Sequence, residues 1–96
     1  MIALSRGEIS VEIVEASVRA PSCGASLVFV GRVRGNYRGQ PVLRLEYEAY
    51  DEMAISSMQQ IATEAKANWN AEVAIVHRLG VVLPEEISVV IAVATP

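Results

Sequence analysis

Residues 87–94 read Ile-Ser-Val-Val-Ile-Ala-Val-Ala, a run broken by only one polar side chain, Ser88. A membrane-crossing helix needs about 20 apolar residues, so this run is far too short to span a bilayer. Its Val and Ile content favours a strand. A strand that is apolar on both faces must be covered on both. The rest of the chain has to supply a sheet for this strand to join, but leaves little to cover its second face, which another subunit or residues beyond Pro96 are expected to cover. With 96 residues there is material for one domain, expected to span 1–96.

The other segments supply those parts. Ser10 can cap a short helix over 11–18, with Val11, Val14 and Val18 on one face, ended by Pro21 and Gly24. Residues 26–34 alternate as a strand, with Leu27, Phe29, Gly31 and Val33 on one face and Val28, Val30, Arg32 and Arg34 on the other. Residues 35–41, rich in Gly, Asn and Pro, form a loop, and 42–50 follow as a second alternating strand. Asp51 is placed to cap a long helix over 52–68, whose stripe of Ala54, Met58, Ile61, Ala62, Ala65 and Trp69 should be buried. Residues 72–79 alternate again, and a turn containing Gly80 and Pro84 leads into 87–94. The order helix, strand, strand, helix, strand, strand predicts an α+β fold. We expect a two-layer domain with a mostly antiparallel sheet and two helices on one side.

Composition narrows the function classes. The hydrophobic fraction is 52% and mean hydropathy +0.34, apolar for so small a domain. Either the core is efficient or some of that surface faces another chain. A net charge of −3 argues against a nucleic-acid partner. No basic region precedes an apolar stretch at the N-terminus, so neither a signal peptide nor a membrane association is expected, and the protein reads as cytoplasmic. Cys23 is the sole cysteine, which rules out an intramolecular disulfide and a cysteine metal cluster; no metal or cofactor site is expected.

The most informative local feature is cationic. Arg32, Arg34, Arg38 and Arg44 are four of the eight basic residues and fall in one short stretch. Guanidinium groups grip phosphate and carboxylate in a bidentate manner, so a pocket for a small anion is one reading. The other is that the arginines pair with Glu46 and Glu48 across a hairpin; side-chain chemistry alone leaves both open. His77 stands alone on an apolar strand face and reads as structural, with Arg78 beside it as a surface or ion-pairing residue. Cys23 has no base or helix N-terminus to activate it. Lys66, the only lysine, falls on the solvent side of the long helix. No catalytic residue is assigned.

Four stretches, in order and at the right spacing, carry a resemblance. Gly24-Ala25-Ser26-Leu27-Val28-Phe29-Val30-Gly31-Arg32-Val33-Arg34, Leu45-Glu46-Tyr47-Glu48-Ala49-Tyr50-Asp51-Glu52-Met53-Ala54, His77-Arg78-Leu79-Gly80 and Glu86-Ile87-Ser88-Val89 together resemble the large, catalytic subunit of molybdopterin synthase. The resemblance runs from about Gly24 to Pro96 and implies an α/β-hammerhead-like fold, a cytoplasmic homodimer and a role in molybdenum cofactor biosynthesis. It implies a small ubiquitin-like sulfur-carrier subunit as partner, whose thiocarboxylate delivers sulfur to a phosphorylated pterin, cyclic pyranopterin monophosphate, to form the dithiolene of molybdopterin. The segment Arg32-Val33-Arg34 would bind that substrate, Arg34 foremost and Arg32 second. The family usually has glycine where Glu85 stands. It also continues beyond the equivalent of Pro96 with a His-Arg pair, a helix and catalytic lysines that Lys66 does not match. The expectation is a C-terminally truncated member whose 96 residues alone are inactive. The alternative is an inactive relative serving as a dimerisation or partner-binding module.

Overall fold

The computed structural model describes residues 1–96. The chain opens with β1 (Ile2–Ser5), followed by α1 (Val11–Ala16) and β2 (Ala25–Arg32). Two short strands, β3 (Asn36–Tyr37) and β4 (Gln40–Pro41), precede β5 (Leu45–Tyr47) and the long helix α2 (Asp51–Trp69). The chain then runs through β6 (Glu72–Arg78), β7 (Gly80–Val82) and β8 (Ile87–Thr95). The main sheet has the order β1-β6-β8-β2, with β1 parallel to β6 and the other pairs antiparallel. The α+β class and the mostly antiparallel sheet are as expected.

The apolar run becomes β8 and lies inside the sheet, between β6 and β2. Its Ser88, Val90, Ala92 and Ala94 are buried. Val90, Ala92 and Ala94 pack with Ala74 and Val76 of β6 against Ile9, Val14 and Val18 in and around α1. Small residues at Ala74, Ala92 and Ala94 let the short helix approach closely. Ser10 caps α1 as expected, its hydroxyl accepting from the Ile13 N–H at 3.3 Å.

Three expectations about packing and strand pairing need correction. First, the helices do not share a side. α1 covers the face carrying Ala74 and Val76, while α2 lies near Leu4 and His77 on the other. Because β6 is apolar on both faces, both need cover. Second, α2 covers only the β1–β6 half of its face. Ala54, Met58, Ala62 and Ala65 are half-buried, but Ile61 and Trp69 from the expected stripe are exposed. The second face of β8 is thus only half-buried, and beside it Leu27 and Phe29 on edge strand β2 are 80% and 61% exposed. Third, the strand expected over 42–50 shrinks to β5 and pairs with β7, not with β2.

Local details follow from residue type. The 35–41 loop folds back as a β3–β4 hairpin whose two turn residues, Arg38 and Gly39, have φ of 52° and 78°. Positive φ at both positions matches the twist of a two-residue hairpin. The Asn36 side-chain oxygen accepts from the Gly39 N–H at 3.0 Å. Tyr50, not Asp51, is the N-cap of α2, and Asn70 ends the helix in the left-handed conformation that asparagine tolerates.

Candidate functional site: an arginine edge

Strand β2 runs from apolar residues toward a cationic end, and its register with β8 shifts there. Gly31 faces Val89, but Arg32 faces Ile87, so one residue of β8 is bulged out between them. Gly31 is needed at this point, since a Cβ there would lie 2.6 Å from Val89 Cγ1. Beyond the bulge the chain remains tied to the turn before β8. The Val33 N–H donates to the Glu86 carbonyl at 3.0 Å, and the Val33 carbonyl accepts from the Glu85 N–H at 2.8 Å.

These bonds place the three expected site residues. Val33 is buried, with 2% exposure, so its side chain anchors the segment. Arg32 and Arg34 flank it and are exposed, the outcome strand alternation demands. Arg32 Nη1 donates to the Glu85 carbonyl at 3.0 Å. The Arg34 guanidinium lies 5.9 Å from the centre of the Tyr37 ring, and that of Arg38 lies 5.2 Å from it. Tyr37 thus gathers two of the three cations.

The alternative pairing with Glu46 and Glu48 is not formed. Because β5 pairs with β7, Glu46 sits opposite Val81 and makes its ion pair with Arg44 at 3.3 Å. Arg32, Arg34 and Arg38 have no carboxylate partner. Three unneutralised guanidiniums on one strand end and its hairpin are suited to holding a small anion.

Beside Arg32 is a polar cavity of about 210 Å³ lined by Glu8, Ile9, Arg32, Arg78, Glu86 and Ile87. Arg78, read as a surface or ion-pairing residue, is the latter, and its side chain is largely enclosed, 12% exposed. Its Nη1 lies 3.4 Å from Glu86 Oε2. The other Glu86 oxygen accepts from the Leu83 N–H at 2.7 Å. That backbone donor, with help from Arg78, holds the Glu86 carboxyl below the ordinary carboxylate range against the opposing effect of desolvation. Sequence reasoning allowed an ion pair at Arg78 but did not find its partner. Arg78 and Glu86 both fall in the motifs quoted above, but only the fold brings them together.

The remaining candidates lie elsewhere. His77 Nδ1 is 2.7 Å from the Arg78 carbonyl, so it carries the proton and donates; the ring meets Tyr47 edge-on at 4.9 Å. It packs under α2 as a structural residue would. Cys23 lines a cavity at the start of β2, the opposite end from the arginines. Lys66 is ion-paired with Glu72. No helix is long and apolar enough to cross a membrane.

The geometry has parallels in known proteins. The sequence model of the family described as "MoaE protein" matches residues 4–96. The molybdopterin synthase catalytic subunit of Taeniopygia guttata is 42% identical over 97 residues, covering 99% of this chain and 63% of that relative. That of Drosophila virilis is 40% identical, again over 99% of this chain but only 28% of the relative. The crystal structure of molybdopterin synthase from Staphylococcus aureus superposes with a TM-score of 0.92 at 35% identity, covering 97% of this chain and 69% of that one. The chain thus spans less than two thirds of the length of the Taeniopygia guttata and Drosophila virilis relatives.

Proposed function

This chain belongs to the MoaE protein family, and from that premise we propose that its 96 residues form one domain of a molybdopterin synthase large, catalytic subunit, acting in molybdenum cofactor biosynthesis. The observation that carries the reading is the edge of Arg32, Arg34 and Arg38, free of carboxylate partners around the buried Val33. A phosphorylated pterin, cyclic pyranopterin monophosphate, fits its charge. The guanidiniums grip the phosphate in a bidentate manner and take no covalent part. Sulfur comes from the thiocarboxylate of a small ubiquitin-like partner subunit and passes to the pterin, in two rounds, to make the dithiolene. This is sulfurtransferase chemistry, carried out in the cytoplasm by a homodimer whose protomers each take one small subunit.

Neither the lone lysine nor the lone cysteine lies at this edge. Lys66 is tied to Glu72, and Cys23 is at the far end of β2. The 96 residues by themselves are therefore expected to bind substrate and form no dithiolene. A second reading, a partner-binding module without turnover, draws on the exposed Leu27 and Phe29. Supplying thiocarboxylated partner and pterin to a chain with the length of the Staphylococcus aureus protein separates the two, because only the first reading yields dithiolene.

Arg34→Ala tests the site. Loss of a charge-assisted hydrogen bond costs about 1.5–3 kcal/mol, so pterin affinity should fall about tenfold or more by isothermal titration, with Lys66→Ala unchanged. Equal affinities for the two variants would remove Arg34 from the site.

A further inference from the structure

Arg78 is an unusual residue to bury. Its ion pair with Glu86 is long, at 3.4 Å, and its Nε is fully enclosed with no hydrogen-bond partner. A nearly buried arginine held this loosely is a poor source of stability, since apolar replacements of such groups are often neutral or better. A buried donor left unsatisfied in a native fold calls for another account.

The connections of its partner supply one. Glu86 holds the Leu83 N–H with one oxygen and faces Arg78 with the other. The same turn is closed by the Glu86 N–H donating to the Leu83 carbonyl at 3.1 Å. From this turn come the hydrogen bonds that hold Arg32 and Val33. The Glu85 carbonyl accepts from Arg32, the Glu85 N–H donates to the Val33 carbonyl, and the Glu86 carbonyl accepts from the Val33 N–H. Arg78 itself belongs to β6, which is paired with β1 and β8 inside the main sheet. It thus ties a turn to a sheet strand, and the turn carries the edge.

Direct contact between Arg78 and the ligand fits less well. The cavity they line together, about 210 Å³, is smaller than ligand pockets generally are. Glu8 and Glu86 also line it, and their carboxylates would repel an anion.

We infer that Arg78 is a positioning residue for the anion-gripping edge, acting through Glu86 and the 83–86 turn on Arg32 and Val33. The inference rests on the proposed function for what the edge grips, but not for the coupling itself. Arg78 keeps the turn in the one arrangement that presents Arg32 and Arg34 together. Misplacing binding groups from outside the site is enough to lose affinity.

The test uses the 96-residue chain, with arginine Nε–H and backbone amide signals followed by NMR while inorganic phosphate is titrated. The variants are Arg78→Met, Arg78→Lys and Glu86→Gln. Glu86→Gln keeps an oxygen for the Leu83 N–H and removes the charge facing Arg78, so it carries the test if Arg78→Met fails to fold. In the absence of phosphate, the Arg32 Nε–H and Val33 amide signals should shift in Arg78→Met and Glu86→Gln. Phosphate affinity should fall about tenfold in both and only about threefold in Arg78→Lys, which retains the charge without the fork. Arg32 and Val33 signals unmoved in a folded variant would overturn the inference, whatever the affinities. Signals that move in a protein whose wild type takes up no phosphate would support the coupling and count against the proposed ligand.

Discussion

Glu85 occupies a position at which the resemblance leads one to expect glycine, and its φ of 71° gives the reason. A side chain in the left-handed region brings Cβ close to the following carbonyl, at a cost of about 1–2 kcal/mol. Glycine avoids that cost but loses more conformational freedom on folding, which takes back about 0.5–1 kcal/mol. The Glu85 side chain forms no ion pair with any of the five bridged cations. Both of its useful bonds, to Val33 and from Arg32, are made by backbone atoms that glycine retains. Glu85→Gly should therefore stabilise the protein by about 0.5–1 kcal/mol. For a domain of this size that raises the melting temperature by roughly 2–8 °C. Thermal melts followed by circular dichroism, with urea titrations at an unchanged m-value, would measure it. Glu85→Ala is the control, because it removes the carboxylate and keeps the strained backbone, and it should give no gain. A Glu85→Gly variant no more stable than wild type, or a Glu85→Ala variant that gains as much, would refute the strain argument.

Val90→Lys places a charge at a fully buried position of β8 against α1. With no partner there, the cost is several kcal/mol, comparable to the whole stability of a small domain, and the cooperative melt should be lost. The Glu86 carboxyl has a folded-state pKa below its ordinary value, so its stabilising contribution is present above the unfolded value of about 4.3 and lost as pH falls through the folded one. The stability difference between wild type and Glu86→Gln should accordingly shrink across that acidic window, and a difference independent of pH there would rule out the link. Leu27 and Phe29 lie exposed on an edge strand with no charged residue before Arg32. Sedimentation at micromolar concentration should show self-association that Leu27→Glu and Phe29→Glu weaken; a strictly monomeric wild type would exclude this surface as a contact.

Local pattern was enough for the elements whose evidence is local. Ser10 caps α1 because capping needs only a side chain three residues from the N–H it accepts. Strands β2, β6 and β8 fall where alternation or apolar density places them, and the three arginines stand out by spacing alone. Partner choice lay beyond that reach. β1 is four residues long and is a strand because β6 pairs with it in parallel, Ile2 beside Ile75. β5 turned away from β2 toward β7, and so left Arg32 and Arg34 without the carboxylates that alternation had offered them. The bulge at Gly31–Arg32, the left-handed Glu85 and the Arg78–Glu86 brace likewise arise where distant segments meet. Sequence by itself determined which residues alternate, which are charged and which can cap, because those properties act within a few residues. Tertiary structure decided which strand lies beside which, and so which charges are neutralised and which remain unpaired, because hydrogen-bond registry and packing between segments far apart in sequence are set only when the sheet assembles.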